Sequence, residues 1–191
     1  MSADWATALE AGAPDIVPAW RGIGDGRFIS VRREVRRRAG PGTAEPLAAQ
    51  LAVLARALTA IVEGLSDEDL ALDGGEGEWN VAQAIGHDAD ARAGLSLAAA
   101  KAAAGQWPSD APSVVPGVPG PADADRAALM RRIAQSQRIL ERAARTVAGH
   151  ETDPCPLDHP LVGRLRCGEW LLFAGVHDLM HLEQLHRITG R

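Results

Sequence analysis

Leu47, Leu51, Leu54, Leu58, Ile61 and Leu65 recur at alternating steps of four and three, a single apolar stripe on a helix running from about Glu45 to Gly64. Pro46 suits the first turn of that helix. Asn80 with Gln83 three residues on reads as a capping box, so a second long helix runs from Asn80 through an alanine-rich body to about Ala104. Leu129, Ile133, Ser136, Leu140, Ala143 and Val147 repeat the stripe on a third helix, about Ala122 to Ala148, and a fourth runs from about Gly168 to Gly190. A shorter helix is expected over Phe28–Arg38, stopped by Gly40-Pro41-Gly42. The stretch from Gly105 to Pro121 carries five prolines and reads as a crossover too long for a tight hairpin. No segment reads as a paired strand.

Four long helices with one-sided stripes must bury those stripes against each other. The predicted fold is therefore all-α, a four-helix bundle with long crossover loops. It occupies residues 43–191. Residues 1–42, punctuated by Pro14, Pro18, Gly22, Gly24 and Gly26, form a partly irregular N-terminal arm. Each buried Leu or Ile contributes about 1.5–3 kcal/mol, so a dozen suffice for the core.

Composition narrows the function. The 191-residue chain is 46% hydrophobic but 4% aromatic, with leucine and alanine carrying the apolar content. Its formal net charge of −5 argues against nucleic acid as a partner. The basic run Arg32–Arg38 reads as a solvated helix face. Two cysteines, Cys155 and Cys167, make neither a disulfide framework nor a CxxC pair; Cys167 reads as a small buried side chain. Asp4 and Glu10 interrupt any apolar leader, and no apolar run approaches the length that spans a bilayer. A reducing cytoplasm is the expected setting.

The last helix breaks the apolar rule, because Trp170, His177, His181, Gln184 and Ile188 lie near one face. His177 and His181, four apart, share a helical face and can chelate one ion. His87, on the second helix, can supply a third imidazole and leave one position open, the geometry of a catalytic site. His150, His159 and His186 read as ordinary hydrogen-bonded residues. Asp178 falls about 100° around the helix from the ligand face and is not assigned as a base. Asp90, three residues after His87, is a candidate acceptor behind a ligand or a proton shuttle. It reads equally well as a solvated partner of Arg92 or Arg126. Gln184, one turn beyond His181, can orient water or substrate, or simply bond near the helix end. Trp79 and Trp170 read as core near the helix starts. No nucleophile elbow, phosphate-cradling loop or HExxH competes with this constellation.

Three motifs resemble those of DinB-like proteins: Gly77-Glu78-Trp79-Asn80 leading to His87; His159-Pro160-Leu161-Val162-Gly163-Arg164-Leu165 followed by Glu169-Trp170; and His177-x-x-x-His181-x-x-Gln184. Their order and spacing agree over roughly residues 45–190. The resemblance implies a bundle holding one divalent ion, zinc first and nickel or iron next, on His87, His177 and His181. It also implies chemistry on a small-molecule substrate, a low-molecular-weight thiol in several relatives, and a homodimer in many. Metal-dependent hydrolysis and a non-enzymatic metal-binding stress-response role stay open beside thiol transfer. Asp88, where such proteins commonly carry an apolar residue, and Cys167, where Ser or Thr is frequent, depart from the pattern.

Overall fold

The computed structural model describes residues 4–22, 28–74 and 79–190. Gly24, Gly26, Gly77 and Glu78, cited above, lie outside these residues. Local signals set most boundaries. Asn80 accepts from Gln83 N and Gln83 returns the bond to Asn80 N, the predicted capping box, so the helix α6 spans Val81–Ala103. The helix α7, Arg126–Val147, begins later than the stripe suggested because Asp125 caps it, accepting from Ala128 N at 2.6 Å. The helix α8, Cys167–Thr189, ends on Gly190 at φ +67°, a left-handed cap that glycine takes without strain.

The helix α4, Ala44–Gly64, has no side-chain cap of its own. Glu151, a hundred residues on, supplies one: its buried carboxylate accepts from Gly42 N at 3.1 Å, Ala44 N at 3.4 Å and Gly149 N at 3.0 Å. The start of α4 and the turn after α7 are thereby tied together, with the negative charge at the favourable helix end.

The four long helices pack as the stripes require. The helix α6 lies between α7 and α8, and α4 closes the other side against both. Leu47, Leu51, Leu54, Leu58 and Leu65 are buried, as are all six positions of the α7 stripe. By length and composition α4 is apolar enough to cross a membrane, contrary to the expectation that no segment is. Here its leucine face is spent on the core.

The first residues are more regular than the sequence suggested. Three helices, α1 (Asp4–Glu10), α2 (Ile16–Arg21) and α3 (Phe28–Arg38), precede α4. The first two are seven and six residues long, too short to show a stripe. Gln50 fastens α2, accepting from Asp15 N at 2.9 Å and donating to Asp15 Oδ2 at 2.7 Å. Ile16 then packs so tightly on α8 that a Cβ at Gly175 would lie 2.7 Å from it. A one-turn helix α5, Asp67–Ala71, with a Ser66–Asp69 capping box, interrupts the acidic linker.

The expectation that no segment pairs as a strand also fails. Residues Pro154–His159 (β1) and Gly163–Arg166 (β2) pair as an antiparallel hairpin. Pro154 and Pro156 cannot donate to a ladder, which hid the strand, and the register slips between Pro154 and Asp158 where they sit. Cys155 and Leu157 alternate into the core. The crossover joins the other edge of β1: Val115 N donates to Asp158 O at 2.9 Å, and Asp158 N to Ser113 O at 2.8 Å.

Candidate metal centre

Three imidazoles meet where α6 faces α8. The ring centres of His177 and His181 are 4.6 Å apart, and that of His87 lies 5.2 Å from each. One ring nitrogen from each residue lies within 4.8 Å of the other two, a group that could hold an ion. His181 is buried, the His177 side chain is 12% exposed, and His87 is the most open. Trp79 covers His87 on one side, with ring centres 4.9 Å apart.

The donor set fits a cation because every Nδ1 is already used. The Nδ1 of His87 lies 2.8 Å from the Val118 carbonyl, that of His177 lies 3.2 Å from Asp88 Oδ1, and that of His181 lies 2.8 Å from Gln184 Oε1. A carbonyl and a carboxylate only accept. The Gln184 amide nitrogen donates to the Gly74 carbonyl in a short bond, which turns its oxygen toward His181. All three rings therefore carry their proton on Nδ1 and leave the Nε2 lone pair free, the pattern of metal-ligating histidines. Nitrogens bound at about 2.0–2.1 Å sit closer together than 4.8 Å, so side-chain rotation would close the remaining gap. Burial pushes the His177 pKa down, and the neighbouring histidines add to this against the opposing pull of Asp88. The ring stays neutral, as a ligand must be.

Behind His177 lies a buried charged cluster. Asp88 and Asp178 are about 1% exposed or less, and so is Arg92. Arg92 donates to the Leu51 carbonyl in a short bond, and its Nη1 stands 3.3 Å from Asp178 Oδ2. Burial would raise the pKa of Asp88, but the His177 hydrogen bond and the electrostatic pull of its His181, His177 and Arg92 neighbours outweigh it and hold it low. Asp178 goes the other way. Burial and the neighbouring Asp88 charge push its pKa well above the carboxylate range, against the pull of Arg92. Asp178 therefore keeps a proton, which it can share with the otherwise unpartnered second oxygen of Asp88. Two carboxyls and one guanidinium then carry no net charge, which limits the cost of burying them.

The crossover holds His87 from outside. Gly120 N donates to Gln83 O at 3.1 Å, and a Cβ on Gly120 would lie 2.6 Å from the Gly86 Cα. This backbone contact brings the Val118 carbonyl onto the His87 ring.

The two predicted accessory residues differ in placement. Gln184 is buried and orients His181. Asp90 is exposed and bonds Arg132 with both oxygens at 2.9 Å, so its partner is neither Arg92 nor Arg126. The acceptor behind His177 is Asp88. Asp88 stood out in the sequence only as a departure from an apolar position, and that polar residue on a buried face was the available signal. Asp178, set aside because it points away from the ligands, is the residue that meets Arg92. Neither cysteine is held as a thiolate in this environment. Burial drives Cys167 up to about 12, with Cys155 and Asp153 adding to it, and burial raises Cys155 too. His159, at the end of β1, packs edge-on against Phe173 at 4.8 Å, and His186 stacks on Trp5.

A model of the DinB superfamily matches residues 50–185, a span that includes all three histidines. No curated protein and no solved structure matches the chain.

Proposed function

We propose, for a chain that belongs to the DinB superfamily, that the four packed helices are a bundle built to hold one divalent ion on His87, His177 and His181, and that the protein is an enzyme activating a low-molecular-weight thiol. The observation that carries this reading is the triple engagement of Nδ1. Three separate acceptors, one backbone and two side-chain, each engage the Nδ1 of a histidine and leave its Nε2 lone pair free, in three rings clustered closely enough to share an ion. Chance packing of three histidines would not require three oriented acceptors.

A bound divalent cation with an open position would supply strong acidification of a coordinated thiol at neutral pH. The protein residues have the remaining tasks. Asp88 fixes the tautomer of His177, Gln184 fixes that of His181, and Trp79 shields one flank of His87 from water. Among the described residues, no acidic or thiol side chain joins the histidine cluster, which favours an open position over a closed structural site. The two buried, high-pKa cysteines support a nucleophile brought in by the substrate rather than supplied by the chain. Imidazole accepts zinc, nickel and iron alike, and zinc is the first choice for three imidazoles with an open position.

The test is cobalt loading followed by titration with small thiols. A sulfur-to-cobalt charge-transfer band in the wild type, absent from His87→Ala, His177→Ala and His181→Ala alike, is the expected result. Absence of cobalt uptake would overturn the metal reading. Cobalt uptake without a thiol-dependent band, together with ester or amide turnover, would replace thiol transfer by hydrolysis.

A further inference from the structure

A cavity of about 330 Å³ runs along the outer face of α6 under the crossover, from His87 at one end to Lys101 at the other. Fourteen residues of helix separate these ends, about 21 Å along the axis. Its walls are almost wholly apolar: Leu95 and Ala98 from the helix, Trp107 and Val115 from the crossover. At the small end of ligand-pocket volumes, and stretched over that length, it suits a chain-like ligand.

The charges along it are unequal. Asp90 lines the cavity, but its carboxylate is bonded to Arg132. Lys101 is half-buried and, among the described residues, forms no ion pair. The cavity therefore has one uncompensated cation, at the end remote from the histidines, in a chain whose net charge is −5. An anionic ligand terminus is the complement of that end.

We propose that this groove seats the body of the substrate, an unbranched apolar chain ending in a carboxylate, with the carboxylate on Lys101 and the reacting end at His87. The orientation rests on the metal-centre reading; occupancy of the groove does not. Gly94 gives a clean probe. It lies on the cavity wall, and a Cβ built there meets nothing within 4 Å. A leucine at this position fills the groove without a backbone clash and raises helix propensity.

The full chain, metal-loaded and again after chelation, is titrated with decanoate and with 1-decanol, read by calorimetry and by Trp107 fluorescence against a Trp107→Phe control. Both ligands should bind in both forms. Gly94→Leu should weaken both by more than about tenfold without lowering the melting temperature, because each buried methylene lost from the contact is worth several-fold. Lys101→Gln should weaken decanoate about fivefold and leave decanol unchanged. Absence of decanoate binding, or full affinity in Gly94→Leu, overturns the groove. Equal loss of both ligands in Lys101→Gln overturns the assignment of the carboxylate. Decanoate binding that tightens on metal loading and ignores Lys101 reverses the orientation. Binding to the chelated protein is measured independently of the metal, so failed cobalt uptake and failed decanoate binding are separate results.

Discussion

Replacing Asp88 by Asn separates the metal centre from the fold. The substitution keeps the shape and an acceptor oxygen for His177 Nδ1, but removes the one carboxylate that the buried cluster holds ionised. A partner of this kind behind a ligating histidine is worth about 10–100-fold in metal affinity, or about 1.4–2.7 kcal/mol. The present bond is 3.2 Å, longer than the 2.7–2.9 Å of a strong charge-assisted bond, so the lower end, about tenfold, is expected. Stability should respond differently. Without the Asp88 charge beside it, Asp178 can release its proton and pair fully with Arg92, 3.3 Å away. The cluster again sums to no net charge, and the metal-free protein should stay within about 1 kcal/mol of wild type. Arg92→Met is the contrast. It strands two buried carboxyls and frees the Leu51 carbonyl, and should cost about 3–5 kcal/mol. Competition against a chromophoric chelator gives the affinity, and urea unfolding of the metal-free protein gives the stability. Unchanged metal affinity in Asp88→Asn, or a stability loss matching that of Arg92→Met, would refute the proposed division of roles.

Gly120→Ala should drive the crossover off α6, because the new Cβ meets immovable backbone at 2.6–2.8 Å; a loss of about 1–3 kcal/mol in urea unfolding, together with weaker metal binding through the displaced Val118 carbonyl, is expected, and unaltered metal affinity would show that this carbonyl does not position His87. Burial holds the His159 pKa down at about 4, with an electrostatic contribution from nearby His177 adding to it, so below pH 6.5 the unfolded chain takes a proton that the folded chain refuses. Stability is then lost as pH falls from 6.5 toward 4, by about 1–2 kcal/mol after allowance for solvent screening of this half-buried ring. His159→Gln should remove that part of the slope in urea titrations at pH 7 and pH 4.5, while the part due to His177 stays; identical slopes would refute it.

The legible features were those decided over one or two helical turns. The α4 and α7 stripes, the Asn80–Gln83 box, the stop at Gly40-Pro41-Gly42 and the His177–His181 pair depend on spacings of three or four, which the helix converts directly into shared faces. The α1 and α2 helices were not legible, because six or seven residues cannot display a period and their stability comes from Gln50 and from contact with α8. Nor was the hairpin, whose prolines argue against a strand until the crossover and β2 supply partners from both sides.

For the candidate centre, sequence determined that His177 and His181 share one helical face, since a four-residue step fixes a common face whatever surrounds it. Only the folded chain decided that His87 turns toward that pair, that Asp88 rather than Asp90 stands behind His177, and that a backbone carbonyl from the crossover orients His87. Those contacts join residues 31 and 89 positions apart. No local period encodes such a distance; it is set by how the helices bury their stripes and by where Gly86 and Gly120 allow two backbones to touch.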